Sequence, residues 1–182
     1  KKEEKKEAKP VPKALPEASQ ARSPKGDMAF WYYAPSSYDP KAKKQKRLPL
    51  VLSYHGASGT GQGEIGGWKA LAEQYGFVVA CPTSVLAGAG QQAGVARPVN
   101  PAEFAIETEA AISIVDFLKG TFPIDDRRVM VTGFSGGGNP TYWLGFTQPE
   151  IFPFFCARCG NFPSLLARAA ETQPEAKKAI EV

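Results

Sequence analysis

The sequence predicts an α/β fold, a mostly parallel open sheet with helices on both faces, and three observations predict it. Short apolar runs bounded by glycine or proline recur at residues 48–54 (LPLVLSY), 77–81 (FVVAC) and 128–132 (RVMVT). Segments with apolar residues at helical spacing separate them. Strand and helix then alternate one for one, which is the pattern of crossover connections between parallel strands. With 182 residues, 43% of them hydrophobic, the chain is long enough to enclose one core.

In chain order, residues 1–26 are rich in Lys, Glu, Pro and Ala and almost free of large apolar side chains. Such a stretch buries too little surface to offset the entropy of ordering it, so it reads as a disordered tail, with a single domain over 27–182. Order is expected to begin near Met28, with an early strand through Met28-Ala29-Phe30-Trp31-Tyr32-Tyr33, followed by a Pro/Ser/Lys loop from Ala34 to Arg47. The run at 48–54 is the first buried strand and ends in His55-Gly56. Trp68, Leu71, Ala72 and Tyr75 then fall on one helical face, and Gly76 suits a C-terminal stop. The strand at 77–81 is closed by Pro82, and a Gly/Ala/Gln loop runs on to about Val99.

Asn100-Pro101-Ala102-Glu103 reads as an N-cap, a proline at the first helical position and a capping-box glutamate. Phe104, Ala111, Ile114, Val115 and Leu118 line one face of that helix, and Gly120 ends it. The strand at 128–132 leads directly into Gly133-Phe134-Ser135-Gly136-Gly137. A helix is expected from about Gly136 to Phe146, then a strand from about Phe152 to Ala157, and a further helical start at Pro174–Val182.

Composition excludes several classes. The net charge of +4 comes with ten lysines in two stretches, Lys1 to Lys13 and Lys41 to Lys46, without the interleaved aromatics of a base-stacking groove. They read as a solvated tail and a solvated loop, not a nucleic-acid site. No apolar run approaches the ~20 residues of a membrane-spanning helix. Cys156 and Cys159 form a lone C-x-x-C in a strand-like run, where residues three apart face opposite sides; with no second ligand pair they read as buried free thiols. The chain opens on lysine and carries no hydrophobic signal segment, as a chain does whose leader has been removed or which is part of a longer protein.

Residues 133–137 form a G-x-S-x-G turn entered by a core strand and left by a helix, the context that gives this motif chemical meaning. The tight turn strains the serine and aims its side chain out of the sheet edge, so Ser135 is the candidate nucleophile. A Cβ on Gly133 or Gly137 would collide with neighbouring backbone. The helix N-terminus behind Ser135 offers the Gly136 N–H to a developing oxyanion. The loop after residues 48–54, His55-Gly56-Ala57-Ser58-Gly59, is placed to supply the second donor: Gly56 permits a close turn and the Ala57 N–H (or that of Ser58) joins that of Gly136. Each donor is worth about 2.7–4 kcal/mol to the transition state.

His55 is the only histidine, and the order His55, Asp125, Ser135 mimics one known arrangement of catalytic triads. The sequence argues against it. His55 belongs to the oxyanion loop as a structural residue, and Asp125 and Asp126 precede the strand whose far end carries Ser135.

The stretches LPLVLSYHGASG, GWKALAEQYGFVVACPT and IDDRRVMVTGFSGGG resemble the polyhydroxybutyrate depolymerase and feruloyl/acetylxylan esterase-like branch of the α/β-hydrolases, over about residues 28–162. The resemblance implies the α/β-hydrolase fold, ester cleavage through an acyl-enzyme on Ser135, and secretion or a periplasmic location. Its implied partner is a small ester or an ester derived from a polymer. In that family the acid and histidine of the triad follow the serine, whereas no histidine follows Ser135 here and no aspartate follows Asp126. The expectation is therefore that acid, histidine and the last strands lie beyond Val182, and that this stretch alone is nearly inactive, since losing a triad member costs about 10⁴–10⁶ in kcat. The mechanism requires no metal or organic cofactor. Two alternatives stand beside it: a catalytically dead, hydrolase-like binding module, and a serine peptidase of prolyl-oligopeptidase type on the same fold. Trp143 and Phe134 are open to either role, pocket wall or core.

Overall fold

A computed structural model of the chain describes residues 14–88 and 101–160. The described residues form strands β1 (Ser19–Arg22), β2 (Ala29–Tyr33), β3 (Leu48–Tyr54), β4 (Val78–Pro82), β5 (Ile124–Phe134) and β6 (Phe154–Arg158). The helices are α1 (Gly61–Tyr75), the short α2 (Val85–Gly88), α3 (Pro101–Thr121) and α4 (Gly138–Thr147), with a 3₁₀ turn at Ser135–Gly137. The strands make one sheet in the order β1-β2-β4-β3-β5-β6. β2 runs antiparallel to both of its neighbours, β1 and β4, and β4, β3, β5 and β6 are mutually parallel. The predicted fold class is the one found.

The period of two along each strand divides the core into two layers. Leu50, Leu52, Tyr54, Val78, Ala80, Val129 and Val131 face α3 and α4, where they meet Phe104, Ala111, Ile114, Leu118, Trp143 and Leu144. Val51, Val79, Cys81 and Tyr33 face α1, where they meet Ile65 and Ala72, with Trp68 and Met130 packed alongside. The apolar stripe read along α3 is the face that packs.

Three expectations are corrected. β1 lies inside the stretch assigned to a disordered tail: it pairs with β2 from Ser19↔Tyr32 to Arg22↔Ala29, so ordered chain begins before Met28. Ser23 closes that hairpin, its N–H donating to the Met28 carbonyl at 2.8 Å and its Oγ accepting the Met28 N–H at 2.7 Å. Pairing of this kind uses backbone groups, which composition does not reveal. On α1, Leu71 and Tyr75 are 41% and 67% exposed; the buried positions are Gly61, Ile65, Ala72 and Glu73. Glu73 is held there by Tyr33 Oη at 2.5 Å and by the Ser36 N–H and Oγ at 2.8 and 2.7 Å. Burial opposes its ionisation, but those donors together hold the carboxyl below its ordinary value.

The third correction concerns the thiols. Cys156 and Cys159 are exposed and free, whereas Cys81 is the buried one. Among the described residues β6 is an edge strand, so its α1-side face is uncovered, and Cys159 lies past its end with φ 57°. Gly76, at φ 72°, ends α1 as read, its N–H donating to Ala72. Expectations for the tail before residue 14, for Asn100 and for Pro174–Val182 fall outside the described residues.

Candidate active site

β5 lies between β3 and β6, with Tyr54 opposite Gly133 and Arg158 opposite Phe134. Ser135 therefore leaves the sheet at the C-terminal edge of the parallel strands, where crevices between βα connections open. It has φ 50°, a left-handed conformation that costs a non-glycine residue about 1–3 kcal/mol. The surroundings leave it no alternative. A Cβ on Gly133 would stand 2.1 Å from the Gly137 carbonyl oxygen and 2.7 Å from Thr141 Oγ1. One on Gly137 would stand 2.6 and 2.7 Å from the His55 and Tyr54 carbonyl oxygens. Thr141 Oγ1 donates to the Gly137 carbonyl at 2.8 Å and ties the turn to the first turn of α4.

Gly136 brings the two loops together. A Cβ there would meet the Ala87 carbonyl oxygen at 2.2 Å and the Ala57 nitrogen at 3.0 Å. The backbone after Ser135 is thus wedged between the 84–87 turn and the loop that follows β3. That loop is a tight turn, closed by Gly59 N–H to the Gly56 carbonyl at 2.9 Å. Ser135, Gly136, Gly56 and Ala57 are all half-buried, and Gly136 lies against the Ala57 nitrogen, so the serine and the two candidate backbone donors stand close together. Phe134, 47% exposed, stands beside them against Gly56, while Trp143 is buried in the core against Phe104.

His55 is buried, and both ring nitrogens are engaged. The Ser84 N–H donates to Nε2 at 3.1 Å, so Nε2 carries no proton. Nδ1 then holds it and donates to the Gly56 carbonyl at 2.6 Å. Neither nitrogen is left to take a proton from Ser135. Asp125 accepts from Arg128 Nε at 2.8 Å and Asp126 pairs with Lys119 at 2.7 Å. The Arg128 and Lys119 contacts hold these two carboxyls below their ordinary values. They stand at the entry of β5, roughly 30 Å along an extended strand from its exit. His55, Asp125 and Ser135 do not form a triad.

Two polar clusters flank the site, and the sequence reading named neither. Arg158, at the end of β6, donates to Glu64 at 2.7 Å and Ser53 at 3.2 Å and lies 5.3 Å over the Trp68 ring, joining α1 to the sheet. On the opposite face Glu107 is fully buried and accepts from Ser84 Oγ at 2.6 Å. A signal for Glu107 existed: it falls between Phe104 and Ala111 on the apolar stripe of α3. Among the described residues no cluster of His, Cys, Asp and Glu could hold a metal ion, and no helix is long and apolar enough to cross a membrane.

The arrangement of strands and helices recurs in solved structures. An acetyl xylan esterase from Aspergillus awamori superposes with a TM-score of 0.58 at 24% identity, covering 77% of this chain and 50% of that one. The fold is the α/β-hydrolase fold. No protein-family model matches the chain. Among curated proteins, this chain is 30% identical over 148 residues to a poly(3-hydroxyalkanoate) depolymerase C of Paucimonas lemoignei. It is 28% identical over 137 residues to a poly(3-hydroxybutyrate) depolymerase of Ralstonia pickettii. The matches take in 76% and 70% of this chain but only 33% and 28% of those depolymerases. Acetylxylan and feruloyl esterases are further homologues.

Proposed function

We propose that this α/β-hydrolase chain carries the nucleophile and oxyanion site of a carboxylic ester hydrolase. Ser135 Oγ attacks the ester carbonyl carbon and its proton passes to a general base. The carbonyl oxygen takes the negative charge between the N–H groups of Gly136 and Ala57. Collapse of that intermediate expels the alcohol, protonated by the same base, and leaves an acyl-serine; water then releases the acid by the reverse sequence. The observation that carries the reading is the left-handed Ser135 at a strand-to-helix turn whose next residue is packed against Ala57 N. His55 is committed to other bonds, so we assign base and acid to residues beyond Val182.

The substrate class we favour is an ester of a polymer or of its fragments, a polyhydroxyalkanoate or an acylated plant polysaccharide. The names of the depolymerase and esterase relatives support it. A polymeric substrate of this kind favours work outside the cytoplasm, secreted or periplasmic. The half-buried Ser135 and the exposed Phe134 ring beside it suit an acyl group approaching from solvent. In the longer protein, Ser135→Ala is expected to abolish turnover of acetyl, feruloyl and 3-hydroxybutyrate esters while leaving the melting temperature within a few degrees. An active Ser135→Ala variant would refute the mechanism. Cleavage of peptide amides in preference to esters would favour the peptidase alternative, and failure to cleave either would favour the binding module.

A further inference from the structure

Behind the loop that carries Ala57 lies a buried polar chain that ester cleavage itself does not use. Glu107 occupies the apolar face of α3, fully buried, among Phe104, Ala111 and Ile114. Its Oε2 accepts from Ser84 Oγ at 2.6 Å. That same Oγ accepts the Ala87 N–H at 3.0 Å, and the Ser84 N–H is the donor to His55 Nε2. The 84–87 turn thus has Glu107 on one side and both halves of the site on the other. His55 reaches it through Ser84, and Gly136 lies against the Ala87 carbonyl, nearer than any Cβ would allow. Asn139 Nδ2, from α4, adds a contact to the Leu86 carbonyl at 3.4 Å.

A leucine at position 107 would complete the apolar stripe without the cost of burying a carboxyl. What only the carboxyl brings is an acceptor for Ser84. We propose that Glu107 is a positioning residue for the oxyanion loop: through Ser84 it fixes the 84–87 turn, and that turn sets the spacing between the Ala57 and Gly136 backbone. The catalytic part of this inference rests on reading those two N–H groups as the oxyanion donors; the structural link from Glu107 to His55 does not.

The protonation of Glu107 bears on the link. Burial pushes its carboxyl up to about 7, against the Ser84 hydrogen bond that favours the charged form, and the Glu103 charge adds to the rise. The groups that face it are Tyr54 from β3, Glu103 from its own helix, and Ser84 and Leu86 from the turn, with His55 one bond further on. Ionised, Glu107 accepts from Ser84. Protonated at Oε1, which has no hydrogen-bond partner, it still accepts through Oε2 but more weakly. The strength of the Ser84 bond therefore follows the Glu107 proton.

The chain has one histidine, so the His55 ring nitrogens can be followed by NMR without ambiguity. In the 182-residue chain, the Ser84 amide and His55 Nε2 signals are expected to shift with the same midpoint as the Glu107 side-chain carbon between pH 5 and 9. Glu107→Gln removes that midpoint, and Ser84→Ala leaves Glu107 titrating while His55 no longer follows it. On a soluble acetyl ester, in the protein with its general base, Glu107→Leu, which removes the acceptor, lowers kcat about tenfold with KM nearly unchanged, as misplaced backbone donors would, and Glu107→Gln, whose amide oxygen can still accept from Ser84, restores most of the loss. Signals from Ser84 and His55 that ignore Glu107 in the unsubstituted chain, or an unaltered midpoint in Glu107→Gln, would overturn the proposal. If Glu107→Gln loses the fold, Ser84→Ala carries the same decision. A confirmed NMR link in a protein that cleaves no ester would instead count against the ester hydrolase reading alone.

Discussion

The elbow at Ser135 can be tested through a single methyl group. Gly133→Ala would place its Cβ 2.1 Å from the Gly137 carbonyl oxygen, 2.4 Å from its carbon and 2.7 Å from Thr141 Oγ1. The closest of these falls about 1.3 Å short of van der Waals contact, and the obstacle is backbone, which cannot rotate away. Relief requires opening the turn, which also breaks the Thr141–Gly137 hydrogen bond. Overpacking at the upper end of its usual range costs about 3 kcal/mol and the lost bond about 1 kcal/mol, for a loss near 4 kcal/mol. In a domain of this size that lowers Tm by about 12 °C. Gly66→Ala is the control: the same methyl added inside α1, where nothing lies within 4 Å, should raise stability by about 0.5–1 kcal/mol. Thermal melts read by tryptophan fluorescence measure both. On the proposed reading, the rate of fluorophosphonate labelling of Ser135, in a protein that includes the general base, measures the second consequence, a drop of about 100-fold if the serine moves by 1 Å. A Gly133→Ala protein that melts within about 3 °C of the parent and labels at its rate would refute the packing argument and the strained elbow with it.

Two further outcomes follow from the buried groups. Glu107 has a folded-state value of about 7 against an ordinary 4.5, so the folded state binds the proton more tightly than the unfolded one. The stability this provides is fully present below about pH 4.5 and is lost as pH rises towards 7, by roughly 3 kcal/mol in all. Urea denaturation across that range should show the decline in the parent chain and lose it in Glu107→Gln; parallel curves would remove the burial argument. For the thiols, exposed Cys156 and Cys159 should react at once with an aromatic disulfide reagent, while Cys81, whose thiol burial pushes well above its ordinary value, should react only on unfolding. Three equally fast thiols would contradict the placement of Cys81.

The central strands and the elbow were legible in the sequence because each is written in local chemistry. Runs such as LPLVLSY and FVVAC can satisfy both faces only inside a parallel sheet, and both face helices in the structure. The G-x-S-x-G turn needs its glycines because of backbone within the five residues and at the end of the strand beside them, with Thr141 of α4 adding to the crowding at Gly133. β1 was not legible, since its Ser19-Gln20-Ala21-Arg22 side chains are mostly exposed and its pairing with β2 is a backbone property. The buried face of α1 was misread for a related reason. Leu71 and Tyr75 satisfy the helical spacing, but Glu73 is drawn inward by Tyr33 and Ser36, residues about forty positions earlier. Spacing along one helix cannot report a partner on another element.

The candidate site divides along the same line. Ser135, Gly136, Gly56 and Ala57 were legible as a candidate set because motif and fold bring them together, whereas Ser84 and Glu107 belong to no motif and are joined only by folding, 23 residues apart in sequence. Yet Glu107 left a trace. A glutamate between Phe104 and Ala111 is out of pattern, since a helix that buries this stripe would have to bury the carboxyl with it. A buried carboxyl persists where something accepts or donates to it, so a polar residue on an otherwise apolar face predicts an unseen partner on a neighbouring element. Here that partner is Ser84, and Ser84 leads in one further bond to the histidine of the loop beside Ser135. The out-of-pattern residue thus pointed to the site from the opposite side to the motif.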